Sequence, residues 1–478
     1  MRVHQSLQQG EMEYKAIFAK SFSRDERRKL GYGAFIGCLI LLFSFFTVFR
    51  PSLEQLRPIL NLQLNVSSGM QVFIIQNTSV SSWMLKQQQQ QMKEQESQQS
   101  DIQKLASQRL KQEEKPLQQH GQEGFISKSI SQITERNESW RIMPYARKVD
   151  AAAMKSVTEF LVTSLATHSE APNCTKNYNV PAIVFSVAGY SYNHFHAFGD
   201  ILVPLFITSY QFQGEVQFLV TNSNSNWTSK YQEILRKLSR YEIINIDSDD
   251  RIHCFPSMIV GLKQHEEFRI DPSRSPNGYS MKDFREFLRS TYSLKRSKAI
   301  RILDHQHKKP RLLLVARKET RLFTNEEEIV DLAKSLGYEV IVAEPASMNL
   351  TAVARIVNSC DVMMGIHGAG LTNLVFLPSN AVLIQIIPLG GIKWWCDHYF
   401  GEPVADMDIR YCEYMIREEE STLIQQYPHD HAVFKDPSSF YKQGWMALKA
   451  VYLDKQNVKL DVRRFRATLL KALEHLRR

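Results

Sequence analysis

Residues 362–373 read VMMGIHGAGLTN, an apolar run followed by Gly365, Gly368 and Gly370. This pattern is typical of a buried strand that turns sharply into a helix. Glycines at such a turn let backbone N–H groups approach a phosphate, and the helix after the turn presents its positive end to the same group. The stretch therefore predicts a phosphate-binding loop in which His367 donates to a phosphate oxygen. A tight turn around a packed histidine is the alternative.

Strand and helix patterns alternate on both sides of this loop, from about residue 140 to the C-terminus. Such alternation predicts α/β halves with parallel sheets and crossover helices, with ligands bound at the carboxyl ends of the strands. The predicted strands span residues 182–187, 216–220, 242–246, 311–316, 339–342, 362–364 and 381–387. The predicted helices span residues 193–210, with an interruption at Pro204, then 231–238, 326–336 and 350–358.

The sequence before these halves predicts a membrane anchor and a stem. Residues 30–49 carry no charge and are long enough to cross a bilayer as a helix, here an uncleaved transmembrane signal anchor. The basic cluster within residues 24–29 keeps residues 1–29 as a cytosolic tail. Residues 50–139 are mostly polar and predict a disordered lumenal stem. Six glycosylation sequons follow the anchor, at Asn65, Asn77, Asn137, Asn173, Asn226 and Asn349.

Charge and cysteine content narrow the class of protein. The net charge is +9, but the excess lies in residues 1–29 and 455–478, and the residues between them hold 44 basic and 44 acidic side chains. This argues against a nucleic-acid-binding protein, which carries its basic excess along a binding face. The cysteine spacings match no zinc template. Two disulfides and one buried thiol are expected among Cys174, Cys254, Cys360, Cys396 and Cys412.

Two groups of polar residues are candidates for chemistry. Arg317 and Arg321 follow a predicted strand, where guanidinium groups suit phosphate oxygens, with a solvated loop as the alternative. Asn193, His196 and Asp200 are spaced so that a regular helix places all three on one face. A His–Asp pair of this kind serves as a general base. A polar helix face with a capping asparagine is the commoner alternative.

Aromatic side chains cluster after the last predicted strand, at Trp394, Trp395, His398, Tyr399 and Phe400. Such rings stack on sugar faces or on a uracil, although interior packing is their commoner role. Further on, residues 455–478 place apolar side chains at helical spacing between basic ones. This spacing predicts an amphipathic packing helix.

Four segments together resemble glycosyltransferase family 61, most closely its plant members that act on xylan side chains in the Golgi. They read YSYNHFHAFGD at 190–200, RKETRLF at 317–323, GIHGAGLTN at 365–373 and FGEP at 400–403. The resemblance covers about residues 140–478. It implies a two-lobed GT-B fold, with two Rossmann-like lobes facing across a cleft. It also implies a nucleotide-sugar donor, inversion at the anomeric carbon and no obligatory metal.

The resemblance also implies roles for residues. Residues 140–305 would form the acceptor-side lobe, 306–454 the nucleotide-sugar-binding lobe and 455–478 the packing helix. His196 is the first candidate for the base, Asp200 orients or replaces it, and Asn193 belongs to the same motif. The expected donor-binding residues are Arg317, Arg321, Gly365, His367, Gly368, Gly370, Thr372 and Asn373.

The function implied is that of a single-pass type II Golgi membrane protein with its catalytic domain in the lumen. It would transfer a pentose, arabinofuranose ahead of xylose, from a UDP-sugar to xylan. A xylan β-1,2-xylosyltransferase is the alternative within this class. An inactive donor-binding scaffold in a Golgi synthase complex is the alternative from another class. The expected partners are thus a UDP-pentose, xylan and the Golgi membrane, with the chain acting alone, as an oligomer or within that complex.

Overall fold

The computed structural model describes residues 72–76, 139–165, 171–302 and 308–477. The described residues belong to one compact unit. The predicted tail and anchor, most of the predicted stem and the sequons at Asn65, Asn77 and Asn137 lie outside the described residues. Within the described ranges, no helix is long and apolar enough to cross a bilayer.

The strands of the described residues form four sheets. In chain order they are β1 Val72–Gln76, β2 Ser139–Ile142, β3 Phe160–Ser164, β4 Lys176–Asn177, β5 Ala182–Ser186, β6 Gln217–Thr221, β7 Ile244–Asn245, β8 His253–Cys254, β9 Met258–Val260, β10 Arg311–Val315, β11 Glu339–Ala343, β12 Val362–Ile366, β13 Val382–Ile387 and β14 Arg410–Met415.

The larger parallel sheet, called the C-terminal sheet, has the strand order β11-β10-β12-β13-β14. Its central strands β12 and β13 are buried throughout. Continuous burial is typical of parallel strands that helices cover on both faces. The order reverses between β10 and β12, and ligands bind in such sheets outside the carboxyl ends of the strands at the point of reversal.

The second parallel sheet, called the N-terminal sheet, has the order β7-β6-β5-β9. Here the reversal lies between β5 and β9, again with all carboxyl ends on one edge. Each sheet thus has one topological switch point where a ligand site is expected. The α/β architecture with parallel sheets agrees with the sequence patterns.

Two small sheets complete the strands. β1 and β2 flank β3 in an antiparallel sheet, and β4 pairs with β8. β1 falls inside the segment predicted as a disordered stem. Its sequence VFIIQ is rich in β-forming residues, so this part of the segment pairs with the folded body.

Helical segments connect the strands. They are Ala151–Met154, His194–His196, Ala197–Leu202, Val203–Ser209, Tyr210–Phe212, Ser225–Leu238, Pro276–Gly278, Met281–Thr291, Glu326–Ser335, Pro345–Ser347, Leu350–Asn358, Ala369–Phe376, Lys393–Cys396, Asp397–Gly401, Pro403–Met407, Glu418–Glu420, Thr422–Gln425, Ala432–Lys435, Ser438–Lys442, Trp445–Leu448, Lys449–Asp454 and Val462–Arg477. Ala197–Leu202, Asp397–Gly401 and Lys449–Asp454 are π-helical.

The helix that begins at His194 is not interrupted at Pro204, contrary to the prediction. The irregularity comes earlier, as the π-helical turn Ala197–Leu202, and the α-helix Val203–Ser209 continues through the proline. Proline lacks an N–H and its ring clashes with the carbonyl four residues before it. The wider π turn just ahead of Pro204 changes which carbonyl faces that ring, so the helix passes the proline without ending.

The two parallel sheets share one apolar core. Phe185 of β5 and Leu313 of β10 belong to the same cluster of buried side chains. Arg285 joins the halves as well: it is 3% exposed, and its guanidinium donates to the carbonyls of Val375, Leu377 and Met407. The N-terminal and C-terminal sheets are therefore held together by burial and by hydrogen bonds.

The C-terminal helix Val462–Arg477 covers the C-terminal sheet. Its side chains Phe465, Leu469 and Leu476 are buried against residues of β12, β13 and β14. Its basic side chains lie between these apolar positions in the sequence, so the helix is amphipathic.

The expectation of two disulfides is wrong. One forms within the described residues, between Cys174 and Cys254. Cys360, Cys396 and Cys412 are free thiols, and each is buried in the C-terminal half of the chain. Counting cysteines in an oxidising compartment predicts pairing, but buried thiols that do not meet remain unpaired.

Candidate active site

The switch point of the N-terminal sheet holds a buried carboxylate, Asp200, which is 0% exposed. It accepts hydrogen bonds from Tyr145 Oη at 2.7 Å and from Arg147 Nε and Nη2, each at 3.1 Å. Burial raises the pKa of Asp200, but the hydrogen bonds from His196 and Arg147 outweigh burial, and the pKa is lowered overall. A carboxylate so fully paired orients its neighbours better than it accepts a proton, so the geometry favours the orienting role for Asp200.

His196 lies beside this carboxylate, with Nδ1 3.1 Å from Asp200 Oδ2 and 3.3 Å from Arg147 Nη2. The carboxylate only accepts and the guanidinium only donates, so these two groups select opposite tautomers. When Nδ1–H donates to Asp200, Nε2 is the acceptor. Among the described residues no hydrogen bond reaches Nε2, and the side chain is 23% exposed. His196 is thus positioned to take a proton from outside the protein.

Sequence reasoning missed Arg147, which organises this network. Its Nη1 donates to Glu267 Oε1 at 2.6 Å while the rest of the guanidinium binds Asp200. Arg147 and Asp200 are 53 positions apart in the chain. No local spacing could have signalled the contact, because it depends on how the loop after β2 crosses the helix that starts at His194.

Asn193 is a helix cap, which was the alternative to a catalytic role. It caps the helix, and its Oδ1 accepts from the backbone N–H of Phe195 at 2.9 Å. The π turn after His196 changes the angular spacing of side chains. Of the three predicted residues, the structure therefore brings together His196 and Asp200 in one hydrogen-bonded group, and Asn193 serves the backbone.

His194 joins this helix to the second half of the chain. Its Nδ1 lies 3.0 Å from Tyr231 Oη and its Nε2 lies 3.0 Å from Asn373 Oδ1. Burial, together with Lys230, lowers the pKa of His194 to about 3, so the ring is neutral at physiological pH. Asn373 also donates to the carbonyl of Gly370 at 2.9 Å. Asn373, predicted as a donor-binding residue, has both ends of its amide occupied by protein.

The switch point of the C-terminal sheet brings the predicted arginines to the glycine loop. Arg317 and Arg321 follow β10, and Gly368 follows β12 with φ 150°. A Cβ on Gly368 would lie 2.9 Å from Nη1 of each arginine. Only glycine therefore fits between the two guanidinium groups and the loop backbone.

The two guanidinium groups have no carboxylate partner within 4.0 Å among the described residues. Arg317 Nε donates to the carbonyl of Thr320 at 2.7 Å, and Arg321 Nη1 donates to the carbonyl of His367 at 2.8 Å. Arg321 Nε is buried and has no hydrogen-bond partner in the described part of the chain. Burial, and then repulsion from Arg317, lowers the pKa of Arg321 to about 9. A bound anion would accept a hydrogen bond from the unpartnered guanidinium and would offset the repulsion between the two arginines.

His367 is buried at the start of the glycine loop, 8% exposed. Tyr411 Oη donates to Gln385 Oε1 at 3.1 Å, and Gln385 Nε2 lies 2.9 Å from His367 Nδ1. Gln385 is then the donor to Nδ1, so the ring carries its proton on Nε2. Burial, and then the two arginines, lowers the pKa of His367 to about 3. The ring is a neutral donor, as the phosphate-binding interpretation requires.

The remaining predicted loop residues pack against protein. Gly365 lies inside β12, and a Cβ there would meet Val315 and Leu371 at 3.1 Å. A Cβ on Gly370 would lie 3.3 Å from the same valine. These two glycines let the loop pack closely on β10. Thr372 is fully buried, and its hydroxyl has no hydrogen-bond partner among the described residues.

A cavity of about 160 Å³ lies at the carboxyl ends of β13 and β14. Its lining includes Gly390 and Gly391 in the loop after β13, Met415 at the end of β14, and Glu418. No residue that lines this cavity was among the predicted site residues. The glycine pair after an apolar strand is the signal that could have pointed to it.

Phe400 connects the two switch points. Its ring centroid lies 5.5 Å from that of Phe195, the neighbour of His196, and 5.7 Å from that of His367. Phe400 itself is 2% exposed, so packing is its role. The arrangement brings an oriented imidazole and a cationic loop to either side of one buried ring. In the described residues, no three His, Cys, Asp or Glu side chains are grouped so that they could hold a metal ion.

Comparison with known proteins agrees with these observations. Residues 194–384 match the glycosyltransferase 61 family. Alpha-1,3-arabinosyltransferase XAT3 of Oryza sativa subsp. japonica is 48% identical over 72% of this chain. Beta-1,2-xylosyltransferase XYXT1 of the same species is 48% identical over 71% of the chain, and xylan glycosyltransferase MUCI21 of Arabidopsis thaliana is 35% identical over 73%.

The matched segments cover different shares of these relatives. The chain spans 59% of the length of XAT3, 72% of XYXT1 and 73% of MUCI21. The identity is high and the match includes both the helix of His196 and the glycine loop of His367. The chain therefore belongs to glycosyltransferase family 61.

Proposed function

We propose that this protein is an inverting glycosyltransferase that moves a pentose from a UDP-sugar to xylan. One observation carries the proposal. An imidazole oriented by a buried carboxylate lies at the switch point of one parallel sheet. Two guanidinium groups that have no carboxylate partner in the described part of the chain lie at the switch point of the other, and Phe400 packs between the two sites. A base and a cationic leaving-group site are the two requirements of a single in-line displacement.

In the proposed reaction, Nε2 of His196 takes the proton of the acceptor hydroxyl. The hydroxyl oxygen forms the new bond to the anomeric carbon as the bond from that carbon to the diphosphate oxygen breaks. Asp200 stabilises the imidazolium that forms, and Arg147 keeps Asp200 ionised. The configuration at the anomeric carbon inverts because there is one displacement.

The diphosphate that departs would be held by Arg317, Arg321 and the Nε2–H of His367. Backbone N–H groups at the start of the helix Ala369–Phe376 add to this positive field. In this proposal protein charge supplies the leaving-group stabilisation, and no obligatory metal takes part. We assign the uridine half of the donor to the cavity beside Gly390, because this cavity lies at the carboxyl ends of strands in the sheet that also carries the glycine loop.

For the fold, we propose that the two parallel sheets are the two Rossmann-like lobes of a GT-B enzyme. Strand orders β7-β6-β5-β9 and β11-β10-β12-β13-β14 both belong to doubly wound α/β sheets. The base would then come from the N-terminal lobe and the donor site from the C-terminal lobe.

The donor sugar is proposed from the relatives. An arabinosyltransferase and a xylosyltransferase match at the same identity, 48%. Both name a pentose, so a UDP-pentose is the proposed donor, with arabinofuranose ahead of xylose. Xylan is the proposed acceptor because the relative MUCI21 is named a xylan glycosyltransferase. The partners in this proposal are these two substrates and the Golgi membrane.

The test is a transfer assay with the full chain, offering a panel of UDP-sugars and xylan oligosaccharides. We expect pentosylated products whose new linkage has inverted configuration. If xylose alone is transferred, in a β-1,2 linkage, the protein is a xylan β-1,2-xylosyltransferase and not an arabinosyltransferase. Tight UDP binding without transfer or donor hydrolysis would favour an inactive scaffold and contradict the enzyme.

For localisation, we propose a type II Golgi membrane protein with its catalytic domain in the lumen. Of the predicted sequons, Asn173, Asn226 and Asn349 lie on described residues, and all three are exposed. We expect glycosidase treatment of the cell-made protein to lower its apparent mass, with the N-terminus inaccessible from the lumen. An unglycosylated protein with a lumenal N-terminus would overturn this topology.

A further inference from the structure

A group of three indole side chains lies on the C-terminal half, and we call it the aromatic platform: Trp394, Trp395 and Trp445. Trp394 is 59% exposed and Trp445 is 52% exposed. Trp395 lies between them, with ring centroids 5.6 Å from Trp394 and 5.3 Å from Trp445. Tryptophan is highly buried on average, so two indoles that leave half their surface in water call for a partner.

The platform is connected to the proposed active site through further rings. Trp394 lies 6.3 Å from His398 between centroids, and His398 lies 5.4 Å from Tyr399. Tyr399 lies 5.1 Å from Phe195, which precedes the base candidate His196 in the chain. Phe195 is 7% exposed, so these packed rings fix the position of the platform relative to the helix of His196.

The platform is also held in place. Lys393, the neighbour of Trp394, binds Asp397 at 2.8 Å and Glu413 at 2.6 Å. Cys396, on the same short helix, is fully buried. Tyr441 packs on Trp395 with centroids 5.0 Å apart. A fixed aromatic surface binds with a smaller loss of side-chain entropy than a mobile one.

Resting on the proposed function, we infer that the aromatic platform binds the xylan chain at sugar units beyond the one that is glycosylated. Pyranose rings present apolar C–H faces that stack on indoles, while their hydroxyl groups stay in water. The surroundings fit a neutral, half-polar ligand, since Lys393 is paired with Asp397 and Glu413 beside the rings and offers no unpaired cation to an anionic ligand. A membrane or a protein partner would call for a larger contiguous apolar patch.

The inference predicts a dependence on acceptor length. Three rings, those of His398, Tyr399 and Phe195, lie between Trp394 and His196 in the contacts described above. We therefore expect a two-unit acceptor bound at His196 to end before the platform. Trp394→Ala and Trp445→Ala should each raise KM for a six-unit xylo-oligosaccharide about fivefold. KM for a two-unit acceptor and the affinity for UDP should stay at the wild-type values.

Met446→Ala is the matched control, because Met446 is 58% exposed beside Trp445 but offers no ring. It should leave KM for both acceptors unchanged, and Trp394→Phe should restore part of the lost affinity. Equal changes of KM for short and long acceptors, or none for the long acceptor, would overturn the inference. Retardation of the full chain in a xylan-containing native gel gives a second readout that needs no transfer. Weaker retardation of both tryptophan variants supports the platform even if the proposed reaction is wrong, and unchanged retardation contradicts it.

Discussion

Both switch points carry arginine side chains at the same topological position, but only one of them pairs its arginine with carboxylates. At the N-terminal sheet, Arg147 pairs with Asp200 at 3.1 Å and with Glu267 at 2.6 Å. At the C-terminal sheet, Arg317 and Arg321 approach each other beside Gly368 and have no ion-pair partner among the described residues. One region pairs its guanidinium group with carboxylates before any ligand binds, and the other does not.

This difference separates two tasks. A base must have a fixed orientation and tautomer before substrate arrives, and a neighbouring buried carboxylate provides both. A leaving-group site must interact most strongly with the negative charge that develops on the departing diphosphate. Its cations therefore stay unpaired before the ligand binds, which lowers the stability of the free protein. Each of the following experiments tests whether the two regions differ in this way.

The largest expected effect is on the rate. His196→Ala removes the proposed base, and such a loss typically lowers the rate about 100- to 10,000-fold. The affinity for UDP should stay unchanged, because the donor contacts lie in the other half. Single-turnover transfer and titration calorimetry measure the two quantities. His429→Ala, with its side chain 71% exposed, is the control and should keep the full rate. Wild-type transfer by the His196 variant would place the base elsewhere.

The next effect is on stability. Arg147→Ala leaves Asp200 and Glu267 without their cation, and breaking a buried pair costs about 3–5 kcal/mol of unfolding free energy. Arg321→Ala removes a guanidinium that is buried beside a like charge, so its lost hydrogen bond is offset and the change should be within about 1 kcal/mol. Denaturant unfolding of both variants measures these changes. Equal losses would mean that the two regions do not differ in charge pairing.

The arginines of the C-terminal site, whose removal should change stability little, should matter most for the affinity for UDP. Arg317→Ala or Arg321→Ala removes a charge-assisted contact worth about 1.5 to 3 kcal/mol, so the Kd for UDP should rise roughly tenfold or more. Lys318→Ala is the control in the same loop, because Lys318 is 75% exposed and pairs with Glu344 at 2.5 Å. Unchanged UDP binding in both arginine variants would make them ordinary loop charges.

The smallest effect is on the pH dependence of stability. The folded protein lowers the pKa of Asp200, so its ionised form stabilises the fold above the unfolded value of about 3.9. This contribution is lost as the pH falls through the folded pKa. The difference in Tm between wild type and Asp200→Asn should therefore shrink toward acid pH. A difference that stays constant from pH 7 to pH 3 would contradict a lowered pKa.

The C-terminal sheet was the most predictable part of the fold. Four of its strands consist mainly of apolar residues, and the predicted bounds of each lie within two residues of the observed ends. It missed β14, whose residues Arg410–Met415 alternate between buried and exposed at the sheet edge. It also missed β9, which is too short, at three residues, to show a pattern.

The candidate site was predictable where a single segment carries it. The glycine loop and the two arginines lie directly after strands, so the positions of Gly368, Arg317 and Arg321 followed from local pattern. Regular helical spacing did not place Asn193 beside His196, because Asn193 is the N-cap with an extended backbone and its side chain accepts from the N–H of Phe195. Arg147 depends on a long-range contact that no spacing reports.

Arg285 has a consequence for how substrates enter and leave. Its guanidinium spans from the helix Met281–Thr291 to carbonyls at Val375, Leu377 and Met407, inside an apolar core that both sheets share. Swinging the halves apart about a hinge would strip these carbonyls of their donor and expose that core to water. We therefore expect the two halves to tumble and fluctuate as one body. Turnover would then be gated by motions of the loops at the strand ends, on the faster timescale of surface segments.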